Sequence, residues 1–596
     1  MLLFLSLLLG MFYYSLVQVN IGKLKPDSHG FSHFSFHIDS KIDQETKLHL
    51  AAGSFKLRSV ECNGKTVRLQ PQKMRWFEKP SEEVSVLLQR GDNACRVSCF
   101  HAYGRCLPVV KQKITYVDYG ILFLLLGLPL YHMLFSAFIR VLDRFRNRRL
   151  RSRRAEAKPS VPPKVSGTVK TMGHSTLLYG ILALGILVRI LYFHRFGIMN
   201  FQHDWQGHIA FIKYIAEHWT LPLPSKGLEF PQQPLYYWIT GGLYALFTHL
   251  GLNDHDALYG LGFFSLLCSF LFLYYGYRFM MLVTQSEWVR AVAMLFLSLT
   301  PSLVYMSARI NNDVLVMALS AFSLYAMVKS YQSGFQKGFY AALLGVSLLF
   351  LTKISAAPLE VLLFALLIAA YLKEEDISAV RRNLYGFGAL GLFLLGFTLL
   401  RVYLPVEETF HLVNSSGHFP GQSIKALDLN YFGTFHIGTL IQTGSSHVFG
   451  KDAIRFSFPT YQYGTMFFGE FDYTWFLNQS PWLHDVMQAV LALGLVYLLG
   501  IAAFILFLYR ASLLEKLLFA TFLLNLLLIL KFMFDYPSVC NTDFRYFVGS
   551  FVLLAFFFAK GLASMYRVKF IGYLLNVWLA LLAFSELLFF ILLIGI

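Results

Sequence analysis

An aspartate stands at the mouth of an apolar run. Leu177 to Phe196 is apolar, and FQHDWQGHIAFIKYIAEHWTLPLPSKGLEFPQQPLYYW follows it over Phe201 to Trp238. Asp204 lies between His203 and Trp205, with His208 one helical turn further on. A carboxylate can take a proton from an attacking hydroxyl or amine, and an imidazole can orient the partner. A second acid, Asp313, closes SARINND beside Arg309, and Glu470 follows Gly469 in a long polar loop. Cations stand at the ends of other apolar runs: Lys353 in FLTKISAAP, Lys531, and Arg545 in NTDFRYF with Tyr546 beside it. Ionisable groups at membrane depth are costly and mark function. Lysine and arginine both match phosphate oxygens. One base with several cations is the equipment for moving a group off a phosphate leaving group.

Each residue also has an ordinary role. Asp204 and Asp313 could cap the helices that follow them. Arg545 and Lys353 could be interfacial anchors, and Tyr236, Tyr237 and Trp238 an aromatic belt. His203 and His208 read as helpers or loop residues more readily than as metal ligands. Together these ordinary readings need several unrelated coincidences on one face.

The elements that must position these groups are membrane helices. Hydrophobic residues make up 56% of the 596 and charged residues 14%, and many apolar runs exceed a bilayer's span of roughly 20 residues. This is the composition of a polytopic α-helical membrane protein. The formal net charge of +17 does not point to nucleic acid. Much of it sits in RVLDRFRNRRLRSRR, Arg140 to Arg154, and in short loops, where positive-inside topology puts it.

Residues 1–19 read as an uncleaved anchor without a basic start or a small-residue cleavage site. Residues 20–117 are polar and turn-rich, and SFKLRSVECNGKTVRLQ alternates around Asn63-Gly64, a strong hairpin signal. A small exported β domain is predicted there. Cys62, Cys95, Cys99 and Cys106 cluster in it, which predicts two disulfides with three possible pairings, zinc being the rival reading. A second span, 118–142, leads into a basic cytoplasmic linker, 143–172. The membrane domain is 173–596. Threading its basic loops to the inside gives about eleven spans, with residues 235–252 not fully crossing. Asp204, Asp313, Lys353, Arg545 and the long loop 405–486 then face outward.

The HDxxGH–LPLP–PQQPLYYW pattern resembles the first external loop of GT-C glycosyltransferases of the protein O-mannosyltransferase and aminoarabinose-transferase type. SARINNDVLVMALSAFSLYAM is similar to that group's second acidic motif, and TDFRYFVGSFVLLAFFFAKGL to its late R-Y span. The likeness covers about residues 174–596 and leaves the β domain aside. It implies a GT-C fold, a polyprenyl-phosphate sugar donor bound from within the membrane, an external acceptor and inversion at the anomeric carbon. By position Asp204 takes the catalytic aspartate's place and Asp313 the second acid's. Lys353 and Arg545 take the places of cations near the donor phosphate. The group often has an Asp-Glu pair where this chain has Asp204-Trp205, so a divalent metal is possible but not favoured, and no cofactor is certain.

The expected protein is therefore a GT-C glycosyltransferase with Asp204 as general base. Asp313, His203 and His208 would position the acceptor, Lys353, Lys531, Arg545 and Tyr546 would hold the lipid phosphate, and Glu470 would sit in a cover over the acceptor. The acceptor could be a glycan, a lipid or a protein. The setting expected is a bacterial inner membrane with the site facing the periplasm or exterior. A transporter or flippase for a lipid-linked glycan is the alternative from another class, because it would use the cations but need no base.

Overall fold

Hydrocarbon offers no hydrogen-bond partner, so each apolar run satisfies its own backbone as a helix. The computed structural model describes strands between residues 20 and 112 as backbone, helical residues 131 and 133–148, and residues 176–595. Within that last range 199–203, 223–226, 228, 375–376, 399–428, 445–456, 472, 536–538 and 567 are excepted. The anchor 1–19, Cys106, the start of the second span, most of the basic linker, His203 and much of the loop 405–486 lie outside the described residues. The chain divides into two units, Met1–Val141 with Leu395–Leu400, and Leu142–Leu394 with Arg401–Ile596.

In the first unit the strands form two antiparallel sheets. Strand Lys56–Cys62 pairs with Lys65–Arg68, and Cys62 stands opposite Lys65. That register leaves Asn63-Gly64 as the two-residue connection a tight hairpin needs. Lys56–Cys62 also pairs with Gly91–Phe100, which sets Cys62 directly opposite Cys95.

In the second unit, eight described helices are long and apolar enough to cross a membrane, or nine if Glu287–Leu299 and Pro301–Ala308 are one bent span. The protein is a polytopic helical integral membrane protein. Two apolar helices fall short of the criterion. Phe339–Phe350 has only 12 residues, and Ser378–Thr398 carries Arg381 and Arg382 in its first turns. Leu235–His249, at 15 residues, is shorter than the roughly 20 a crossing needs.

Two features of this bundle position the site. Phe544–Met565 is the innermost span, 83% buried against 39% for Thr176–Phe196, so Arg545 is carried by the core of the unit. Its Gly561 packs on Gly500, where an added Cβ would meet the Gly500 carbonyl oxygen at 1.8 Å. Small residues let these two helices touch backbone to backbone. The other feature is the break of 57° between Glu287–Leu299 and Pro301–Ala308. Pro301 has no N–H for the preceding turn, and Arg189 from the first span supplies donors instead. Its guanidinium bonds the Leu297 oxygen at 2.8 Å and the Ser298 oxygen at 2.7 Å. The redirected segment delivers Met306 and Arg309 to a polar cleft.

Candidate active site

The helix Trp205–His218 buries His208, Ile209, Phe211, Ile212 and Ile215 along one face. That spacing fixes it as a surface helix lying on the bundle. Asp204 occupies its N-cap position but does not cap it. The residue has φ 56° and ψ 11°, and its side chain makes no cap hydrogen bond. A capping aspartate normally has extended φ/ψ so that its oxygen reaches the first-turn N–H groups. Here the left-handed backbone, which aspartate tolerates better than most residues, turns the carboxylate elsewhere. Its Oδ2 lies 3.3 Å from Nη2 of Arg545, and its side chain is 36% exposed.

His208 lies beneath, not beside, this carboxylate. Its Nδ1 is 2.8 Å from the Tyr237 hydroxyl, and the two rings stack. Burial holds the imidazole below its ordinary proton affinity, against the pull of Glu229 and Asp204. It joins the surface helix to Leu235–His249 as a neutral joint.

The PQQP loop is tied to the other two motifs. Asn312 donates to Gln232 Oε1 at 3.2 Å and to the Thr352 oxygen at 3.4 Å. The Leu235 N–H donates to the Leu351 oxygen at 3.0 Å. These bonds bring Asp313 and Lys353 together, with Lys353 Nζ 2.5 Å from Asp313 Oδ1. The pair is enclosed: the side chains are 14% and 4% exposed. Asp313 is the first residue of Asp313–Gln332 and Asn312 is the N-cap, so Asp313 is not a cap either.

Arg545 is held from behind by Asp543, whose Oδ1 accepts from the Arg545 N–H at 3.1 Å and whose Oδ2 lies 3.4 Å from Nε. Burial, with Glu470 adding, pushes the Asp543 carboxyl up to about 6. The Tyr546 ring links both cations. Lys353 Nζ lies 5.6 Å from its centroid and the Arg545 guanidinium 5.5 Å, within cation–π range. Phe532 packs on the same ring at 5.3 Å.

Beside Arg545 lies the cleft lined by Ser302, Met306, Arg309, Thr465, Asp543 and Phe551, among others. The Arg309 guanidinium sits 4.8 Å over the Phe471 ring. Glu470 is buried and accepts a hydrogen bond from the Tyr461 hydroxyl. Burial raises its proton affinity, against the pull of Arg545.

The structure thus brings together Asp204, Asp313, Lys353, Arg545 and Tyr546, with Glu470 close enough to act on Arg545 and Asp204. His208 is displaced to a buried joint. Lys531 is exposed on Leu513–Asp535 and is not among the cleft-lining residues. Sequence reasoning missed Asp543, Gln232 and Tyr461, read Tyr237 as part of an aromatic belt, and took Arg309 only as a neighbour of Asp313. Asp543 had a usable signal, an acid two residues before a span-end arginine.

Residues 231–398 match the model of the dolichyl-phosphate-mannose-protein mannosyltransferase family. That domain is of the GT-C type. Over this stretch the chain carries a domain of the GT-C glycosyltransferase type. No curated protein matches the chain. The matched stretch contains the PQQP loop, Asp313 and Lys353. Asp204 and Arg545 lie outside it and join the other two through space.

Proposed function

We propose that this enzyme moves a sugar from a polyprenyl-phosphate donor to an acceptor hydroxyl or amine at the external face of the membrane, with inversion. Asp204 is the general base. The acceptor's proton passes to its carboxylate as the acceptor atom bonds the anomeric carbon. The bond from that carbon to the phosphate oxygen breaks, and the phosphate leaves with the electron pair. Arg545 and Lys353 hold the leaving phosphate from the two sides of Tyr546. Preorganised cations of this kind stabilise charge that develops in the transition state.

The observation that carries this reading is a half-open carboxylate 3.3 Å from a guanidinium anchored in the core. The closed partner, Asp313, is better placed to fix Lys353 than to receive a proton. The external setting is supported by the charge at opposite helix ends. Asp313 opens a helix whose last turn holds Lys329. At 1.5 Å per residue, the ends of that helix are about 30 Å apart. Arg278, which bonds Tyr325, lies at the Lys329 end. Basic residues favour the cytoplasmic side, so the site belongs on the other.

The test is transfer by the purified chain from a labelled polyprenyl-phosphate sugar, read by mass analysis of the product. Asp204→Asn should lose about 100- to 10,000-fold, the usual worth of a general base. A variant retaining a tenth or more of the wild-type rate would remove Asp204 from that role.

A further inference from the structure

We propose that Arg545 exchanges partners during the cycle: it pairs with Asp204 in the empty site, and the donor's phosphate takes its place and frees the base. This rests on the reading of Asp204 as base and Arg545 as phosphate ligand.

The geometry favours exchange at this pair and not at its neighbour. The Asp543 carboxylate lies behind Arg545: it accepts from the backbone N–H at 3.1 Å and stands 3.4 Å from Nε as an ion pair whose side chains are 12% and 4% exposed. The two contacts of the guanidinium therefore differ in burial, the inner edge enclosed and the outer edge open. That edge presents Nη2 to Asp204 at 3.3 Å. Charge-assisted N–H···O bonds are commonly about 2.7–2.9 Å, so this one is slack. The Asp204 side chain is 36% exposed, where an ion pair is screened and weak. The Asp313–Lys353 pair is short at 2.5 Å and closed to solvent.

The donor's phosphodiester competes at such an edge, because its two non-bridging oxygens match a planar fork. It can also reach Lys353 across Tyr546. Once relieved of its guanidinium neighbour, a carboxylate is a stronger base. The base is then armed only when a leaving group is in place. Donor binding precedes acceptor activation.

The exchange has an outcome that a simple phosphate clamp lacks. Asp204 competes with the donor, so removing its charge must tighten donor binding while abolishing transfer. Asparagine tolerates the left-handed backbone of residue 204, so Asp204→Asn is conservative in fold.

The experiment measures binding of farnesyl phosphate, which carries the donor's lipid-phosphate group without its sugar, and of farnesol and inorganic phosphate to the full chain in detergent. Asp204→Asn should bind farnesyl phosphate about two- to fivefold more tightly than wild type, the effect of removing one weak, screened ion pair. Asp204→Gly, which the positive φ also accepts, should do the same. Asp254→Asn, which removes a carboxylate paired with Lys213 at 2.7 Å outside the site, should change nothing. Farnesol should bind all variants alike. Equal tightening for inorganic phosphate would support exchange at the headgroup alone. Tightening for farnesol, or for Asp254→Asn, would overturn the exchange, because the gain would not come from freeing Arg545. An inactive Asp204→Asn with unchanged or weaker farnesyl phosphate binding would overturn the exchange and leave the base reading standing. An active Asp204→Asn would remove both.

Discussion

Two acid–base pairs flank one tyrosine ring, and they are built differently. Asp313 and Lys353 meet at 2.5 Å with both side chains enclosed. Asp204 and Arg545 meet at 3.3 Å with the carboxylate 36% exposed. The first pair comes from segments laced together through Asn312, Thr352 and Gln232. The second joins a left-handed residue on a surface helix to the innermost span. Enclosure and short distance make a structural pair, which is costly to break. Exposure and slack make a pair that can be exchanged. On the proposed reading the closed pair fixes Lys353 in place for the phosphate, and the open pair is the one that exchanges.

The sharpest way to break this comparison is to measure stability and activity on both acids. Asp313→Asn leaves a lysine enclosed without its countercharge, which typically costs about 3–5 kcal/mol. Asp204→Asn should cost no more than about 1 kcal/mol, as an exposed pair does. Thermal unfolding of the two variants in detergent should show that order. Equal losses would mean that both pairs are structural.

Asp543 gives a pH test of what stands behind Arg545. Its carboxyl is pushed up to about 6 in the fold against 3.8 for the free group, chiefly by burial. Between these values the folded chain binds more protons than the unfolded one. This contribution to stability is therefore full below 3.8 and is lost as pH rises through about 6. Its size is at most about 3 kcal/mol by the usual conversion of one unit to 1.36 kcal/mol. The difference in Tm between wild type and Asp543→Asn should change across that window and stay flat above pH 7. A difference independent of pH would contradict the raised value.

A smaller effect is expected at Gln232. Its bond to Asn312 at 3.2 Å ties the first loop to the Asp313 segment. A single hydrogen bond is worth about 0.5–1.5 kcal/mol, so Gln232→Ala should slow transfer about two- to tenfold. An unchanged rate would show that the loop needs no tie to Asp313. In the other unit the register predicts one disulfide among three pairings. Cys62 and Cys95 are directly opposed, and antiparallel partners have Cα atoms about 4.5–5.5 Å apart, within disulfide range. Non-reducing peptide mapping should recover Cys62 linked to Cys95. Finding either cysteine linked to Cys99 instead would contradict the register.

The individual candidate residues were legible in the sequence because each breaks a local rule. Asp204, Lys353 and Arg545 are charges at the ends of apolar runs, where charge is costly. Their pairing was not legible. Asp204 and Arg545 lie 341 positions apart and no period connects them. His208 looked like a helper because it follows Asp204 by one turn, but that turn points it into the packing face. Lys531 looked like a third cation because it ends a span, but its side of the helix is exposed. The span pattern was read from runs of apolar residues, which count a 12-residue helix as readily as a crossing one. The break at Pro301 needed Arg189, and a guanidinium inside a first span gives no hint of which carbonyls it serves. The hairpin at Asn63-Gly64 was legible because its turn chemistry is local.

The central claim is that Asp204 takes the acceptor's proton in the step that breaks the sugar–phosphate bond. A single-turnover measurement at saturating donor isolates that step from binding. Asp204→Asn should hold the donor fully and transfer its sugar at least about 100-fold more slowly than wild type. A single-turnover rate within tenfold of wild type, with the donor bound, would contradict the account.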